Sequence, residues 1–458
     1  MVVTDLTRPA RTQPRKRGRR RAGPGGLRRA GRLRELLVAG VVDSFGMALG
    51  WTVLILLALA RGGLAEAALY NAAMLAGVVL SAPVTGWLSR RIAGRTLLRG
   101  AAATEFVLRL GVLYGLMAGA PSWLIAAGVV VMHVAAWAGF AGMRAEVNAV
   151  DASPRSMTRY ALSIAAVEAA GTGLAALLPA GVAGRPTGWP LAAVFVLYAG
   201  SLLPTYLSAR RARITPHGAH RRGSTATTIG YGVTRPAVSF AVTGRSVDTH
   251  HAAPDRRGRA LIGRRRFGVS PRLLAAGGAI MLVSSGPTLL AVPLTTELHG
   301  RTWVAGAAVA FSLGCLLSTT AVQIIGKTPL PAVLRWSLWG LGMLIGWIGA
   351  PLHAASVLFA QFLAGLSQTA FEGDMDAQAA EEAPPEDVTT ALAYSASVRA
   401  LGGSVAVRLL PMLVTAQAIG AAISAAVLLL GLAALVIWAV TSFPRLRLAG
   451  ATHAAAPG

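Results

Sequence analysis

Runs of about twenty predominantly apolar residues recur along this 458-residue chain, interrupted once by a long stretch of opposite character. A run of that length, coiled as an α-helix, spans the ~30 Å hydrocarbon core of a bilayer. Inside hydrocarbon each backbone N–H and C=O must find a partner within the protein, which confines such runs to bundled helices. Composition leaves no soluble alternative, because 54% of the residues are hydrophobic and only 13% are charged. Mean hydropathy is +0.58.

The interruption lies between Arg210 and Arg272. It holds fourteen arginines, no lysine, and scattered Gly, Ser, Thr and Pro. A segment this polar buries too little apolar surface to offset its ordering entropy, so it reads as a disordered linker between two hydrophobic halves. The net charge of +25 follows the same division. Of 43 Lys and Arg, twelve precede residue 36 and fourteen lie in the linker, whereas Arg61, Arg185 and Arg301 alone fall in segments of the opposite face. That asymmetry is the positive-inside pattern and places both termini and the linker in the cytoplasm, with the protein multi-pass in the inner (cytoplasmic) membrane. No folded basic domain accompanies the charge, which argues against a nucleic-acid partner. The basic first 35 residues lack an apolar core with a cleavage site, so they read as a tail rather than a signal peptide. Cys315, the one cysteine, excludes an internal disulfide and reads as a small packed side chain.

Taken in order, the apolar runs predict helices over 36–59, 65–88, 97–118, 123–143, 157–180 and 189–209. After the linker they predict 273–295, 303–325, 333–350, 354–371, 388–414 and 419–440. Gly46 and Gly50 in the first stand at the small-xxx-small spacing that lets helices approach closely. An acidic loop is expected over 372–387, docked against Arg90, Arg91 or the linker. The halves resemble each other: ASPRSMTRYAL from Ala152 aligns with APPEDVTTALA near Ala383, matching Asp151 with Glu381 and Asn148 with Gln378. Equal helix numbers and a local repeat across a long connector are the signature of a duplicated transporter. The fold class expected is all-α integral membrane, twelve transmembrane helices in two pseudo-symmetric six-helix bundles. The divisions are 1–35 basic tail, 36–209 first bundle, 210–271 linker, 272–443 second bundle and 444–458 tail.

From 36 to 440 the chain resembles the major facilitator superfamily, of the type abundant in high-GC actinobacteria. The resemblance is carried by VVDSFGMALGWTVLILLALARGG in the first run, by the loop after the second, and by EVNAVDASPRSMTRYALS after the fourth. In the loop the family pattern is Gly, three residues, Asp, a basic residue and Gly, then further basic residues. Here Gly86 is followed by Arg90 in place of the aspartate, then Arg91, Gly94 one place late, and Arg95. The family's antiporter signature is replaced by GTGLAALLPAG, with Gly and Pro at other spacings. The resemblance implies the twelve-helix fold and alternating access, two bundles rocking about a midplane cavity.

An ionised side chain at bilayer depth is costly unless it faces a cavity or a partner, so each is a candidate for function. Asp43 is the first, as a proton carrier or as a carboxylate near the interface. Glu105 and Arg109 stand at i, i+4 spacing, which favours a local ion pair; a substrate or proton competing for Arg109 would free Glu105. Glu168 at mid-depth should face the other half with Arg399 opposite, and making and breaking that pair would load and release a proton. His133 is a proton relay or a ring hydrogen-bonded to a neighbour. Arg408, nearer the outer side, attracts anions or snorkels. The linker pairs His217/His220 and His250/His251 lack cysteine or carboxylate company, so no metal is expected. No cofactor and no enzymatic centre are expected either. The partners expected are a small-molecule substrate, protons and the lipid bilayer, with a monomer as default. The expected function is proton-coupled efflux of a small amphipathic organic molecule. Uptake of a small organic anion is the alternative within the class, and a transport-inactive membrane sensor or scaffold the alternative outside it.

Overall fold

The computed structural model describes residues 24–89, 91–151, 154–178, 188–212, 269–325, 328, 330–383 and 388–453. Arg90, Arg185, the linker histidines and most of the arginine-rich stretch lie outside the described residues.

The chain opens with α1 (Pro24–Ser89), two helical arms folded back on each other at Gly62 and Gly63. Gly63 sits at φ 63°, ψ −160°, a conformation that only glycine adopts without strain. The turn is held by Arg61, which bonds the Glu66 carboxylate, Tyr70 Oη at 3.0 Å, Ser122 Oγ at 2.9 Å and the Ala120 carbonyl at 2.9 Å. α2 (Gly94–Met117), α3 (Ser122–Val150) and α4 (Pro154–Leu177) follow. α5 (Trp189–Gly200) and α6 (Leu202–Ser208) are one crossing broken at Ser201.

After the linker, the run expected as one helix is three pieces, α7 (Pro271–Ser284), α8 (Gly286–Leu289) and α9 (Ala291–His299). Pro287 and Pro293 lack the N–H that an unbroken helix needs. Next come α10 (Trp303–Ile325) and α11 (Ala332–Ile345), the latter ending earlier than expected, with 346–352 in turns before α12 (Ala354–Glu382). α13 (Val388–Leu413) and α14 (Ile419–His453) complete the order. Eight helical segments among the described residues are long and apolar enough to cross a membrane, and the first of them, Gly31–Leu88, holds both arms of α1.

One expectation is overturned outright. Residues 372–382, read from their acidity as a loop, are the last turns of α12. The charges are accommodated because two of them have partners on neighbouring helices. Asp374 takes two bonds from Arg335 of α11, at 2.9 and 2.6 Å, and Asp376 takes one from Arg399 of α13 at 2.7 Å. Likewise α3 runs on to Val150, past the limit of 143 expected for it.

Packing divides the molecule unevenly along its length. Between the halves, α1 lies on α13 and α4 lies on α10. At the end carrying Arg301 the halves share a core: Ala68 and Ala72 of α1 pack with Leu290, Leu294, Trp347 and Val407. Polar ties reinforce it. Ser404 Oγ donates to the Ala72 carbonyl at 3.0 Å, and Arg301 donates to the carbonyls of Ala176 at 2.9 Å and Ala175 at 3.1 Å at the end of α4, and of Leu178 just beyond it at 2.5 Å. At the linker end the cores formed by the described residues are separate. Leu36, Leu98, Val147 and Tyr160 belong to one half, and Leu273, Trp336, Phe371 and Ala391 to the other.

Candidate functional site

Helix α1 brings Asp43 to the inner face of the first half because Gly46 and Gly50 let α5 and α6 close in. A methyl group on Gly46 would lie 2.1 Å from Ser201 Oγ, and one on Gly50 would lie 2.2 Å from the Tyr198 ring. The small-residue spacing seen in the sequence thus has the packing role expected of it. The consequence is chemical. With Ser201 and the Tyr198 carbonyl drawn in, Arg109 of α2 finds acceptors on three sides.

All five of its N–H donors are committed. Nε donates to Glu105 at 2.9 Å, Nη1 to the Tyr198 carbonyl at 2.6 Å and to Ser201 Oγ at 2.9 Å. Nη2 donates to Asp43 Oδ1 at 2.7 Å and again to Glu105. The guanidinium also lies 4.9 Å from the Tyr198 ring centroid. The i, i+4 pair expected from sequence is present, and Asp43 is its third member. Arg109 and Glu105 are almost wholly buried, while the Asp43 side chain is 25% exposed.

That exposed edge faces a cavity of about 340 Å³, where Asp43, Glu105, Arg109, His133 and Glu168 come together. Trp51, Trp137 and Phe140 supply its aromatic walls. Trp51 meets the His133 ring edge-on at 4.8 Å, and Trp137 meets Phe140 at 5.7 Å. Thr52 and Thr172, also in the wall, face each other at 3.4 Å across α1 and α4. His133 is buried, and its Nδ1 lies 2.9 Å from the Val129 carbonyl one turn back. Glu168 is on the side toward the second half, within electrostatic range of Cys315 on α10.

The structure does not join Glu168 to Arg399. Arg399 Nη1 is bonded to Asp376 at 2.7 Å and to Ser395 Oγ at 2.8 Å, buried within the second half. The sequence register that pairs Asp151 with Glu381 also pairs Glu146 with Asp376, and both of these carboxylates are buried at corresponding helix ends. Arg408 is exposed on α13, away from the cavity. In the loop after the second arm of α1, Arg91 stacks over Trp87 at 4.2 Å, Gly94 begins α2 and Arg95 is exposed. Gly86 has open space beside its Cα, and Arg90 lies outside the described residues. A groove of about 430 Å³ lies beside Arg34, Glu35 and Ser208, but its one carboxylate, Glu35, is held in ion pairs with Arg32 and Arg211 near the surface. Among the described residues no group of His, Cys, Asp and Glu is arranged to hold a metal.

Sequence reasoning missed the Asp43–Arg109 contact, although a signal was available. Both residues lie a few turns into their helices from the same face, and charges at one depth in hydrocarbon tend to pair. It also missed Asp376, hidden by the reading of its segment as a loop.

No protein-family model and no curated protein sequence matches the chain. Solved structures do. The crystal structure of a D-xylose-proton symporter superposes with a TM-score of 0.62 at 15% identity, covering 89% of this chain and 96% of that one. The inward open conformation of the xylose transporter XylE from E. coli gives 0.59 at 13% identity, over 90% and 96%. The crystal structure of a mutant of the nucleoside transporter NupG gives 0.59 at 10% identity, over 89% and 100%.

Proposed function

We propose that this chain, which has the major facilitator fold, is a secondary transporter that works by alternating access across twelve membrane crossings. The cavity beside Asp43 is its central site, and the molecule is captured open toward the linker end, the cytoplasmic side by charge asymmetry. One observation carries the reading: the halves share a core and polar ties at the Arg301 end, keep separate cores at the linker end, and hold buried ionisable groups at a cavity between. A rigid pair of bundles in contact at one end only has a natural partner state with contact at the other.

Coupling follows from charge. Asp43 and Glu105 share Arg109, so a proton on that group, or on Glu168 in the same wall, changes the cost of desolvating the site as the bundles rock. Proton-linked export of a small amphipathic organic molecule fits a wall of tryptophan, phenylalanine and few free polar groups. Uptake of an organic anion has less support, because every donor of Arg109 is already taken by the protein.

The test is flux in proteoliposomes with and without an imposed pH gradient, for the wild type and Glu168→Gln. The variant is expected to lose part or all of the gradient dependence. Dependence equal to wild type removes Glu168 from the coupling.

A further inference from the structure

We propose that the cavity beside Asp43 takes an organic ammonium ion, a protonated amine bearing at least one N–H on a flat apolar body. The inference rests on the transport reading above and names the ligand class of that same cavity.

Charge comes first. Among the described residues, Arg109 is the cation that acts on both Asp43 and Glu105. One guanidinium cancels one carboxylate, which leaves the three-residue group with one negative charge in excess. In hydrocarbon that excess calls for a neutralising proton or a cationic ligand. All three line the cavity, but Asp43 is the most exposed of them, and Arg109 engages only its Oδ1, so among the described residues Oδ2 is open to a ligand.

Hydrogen-bond accounting leads to the same ligand by a separate route. His133 is 3% exposed and its Nδ1 lies 2.9 Å from the Val129 carbonyl. A carbonyl only accepts, so Nδ1 carries the proton and Nε2 of the neutral ring presents a lone pair. Nε2 has no partner among the described residues, and the ring lines the cavity. The site therefore offers acceptors at Asp43 and His133, while Arg109 has no donor to spare. A ligand that satisfies it brings both donors and positive charge. A carboxylate brings neither, and a quaternary ammonium brings only the charge.

The walls complete the description. Trp51 and Trp137 offer aromatic surface that attracts cations and accommodates flat rings. The volume of about 340 Å³ suits a small molecule. Within the Asp43–Glu105–Arg109 group a proton and the ammonium ion are alternatives, neutral with either and overcharged with both, while Glu168 of α4 adds a further carboxylate to the same wall. A proton on Asp43 itself removes the charge that holds the ammonium ion, which is the exchange an exporter needs.

The decisive measurement is calorimetric titration of the full-length protein in zwitterionic lipid nanodiscs, with empty discs as blank. The probes are 1-naphthylmethylammonium, its N-trimethyl form, 1-naphthylmethanol and 1-naphthoate. The ammonium ion is expected to bind about tenfold or more tighter than the alcohol, as one charge-assisted hydrogen bond implies. The trimethyl form should be weaker than the parent, and naphthoate should not bind. Asp43→Asn should abolish the preference for charge, and His133→Phe the preference for N–H over N-methyl. Alcohol or naphthoate binding as tightly as the ammonium in the wild type overturns the proposal, as does a charge preference that survives Asp43→Asn. If Asp43→Asn is not monodisperse, the wild-type series and His133→Phe decide. Vesicle flux separates this from the transport reading. Selective binding without flux sinks transport and upholds the site, whereas pH-driven flux of another solute without ammonium binding sinks the ligand class alone.

Discussion

Arg301 offers a test of which end of the molecule is held shut. Its guanidinium crosses from the second half to the carbonyls of Ala175 and Ala176 at the end of α4 and of Leu178 just beyond it, at 2.5 to 3.1 Å. A helix C-terminus concentrates unpaired carbonyls and partial negative charge, so a guanidinium there is favourable twice over. When the halves part at this end, all these bonds must break together. A hydrogen bond to a charged group contributes a net ~1.5–3 kcal/mol, and because the bonds share one half-buried cation we take that range for the set rather than for each. Losing it shifts the equilibrium between the two conformations by roughly 10- to 150-fold toward the state open at the Arg301 end. The assay is pulsed electron resonance between spin labels at Met117 and Leu352, exposed positions at this end of either half, in a Cys315→Ser background. Arg301→Ala should populate a longer distance that is minor in the parent. Arg301→Lys, which keeps charge but loses the fork, should fall between them. A distance distribution indistinguishable from the parent would show that the contact has no weight in closure, and the end-asymmetry argument would lose its polar half.

Three other outcomes follow from the geometry. Gly314 and Gly365 mark the closest approach of α10 and α12, where an added methyl would lie 2.1 Å from the Phe362 and Phe311 carbonyls respectively. Gly365→Ala should lower stability by ~1–3 kcal/mol through overpacking, and an unshifted melting curve in detergent would contradict that. Arg399→Leu strands the buried Asp376 carboxylate and should cost ~3–5 kcal/mol. The double variant with Asp376→Leu should recover much of the loss in chemical denaturation, and failure to recover would mean the pair is not isolated. Gly50→Leu should push Tyr198 away, uncouple Arg109 from its carbonyl, and reduce transport more than Gly86→Leu, which meets open space.

The architecture was open to reading because its causes are local. A run of apolar residues long enough for a bilayer is a property of adjacent residues, and so is the arginine surplus of the linker. Gly46/Gly50 as a contact surface followed from the same short-range logic, and so did the limits of α2, α10 and α13, whereas α1 begins and α3, α12 and α14 end well beyond the limits expected. The segment 372–382 failed for an instructive reason. Acidity argues for a loop only if the charges have no partners, and the partners, Arg335 and Arg399, stand on other helices.

What the chain determined alone, then, is that it is a two-part helical membrane protein, and which ionisable side chains sit at depth. Which of them meet was decided by the packing. Glu105 and Arg109 share a helix and could be paired by counting residues, but Asp43 joins them only because α1 and α2 are held side by side against α5. Arg399 turns to Asp376 rather than Glu168 because helix rotation, set by many small contacts summed along each helix, selects the face each side chain presents. Burial and depth are written in sequence order, whereas charge pairing across helices depends on rotation and register, which no single helix contains.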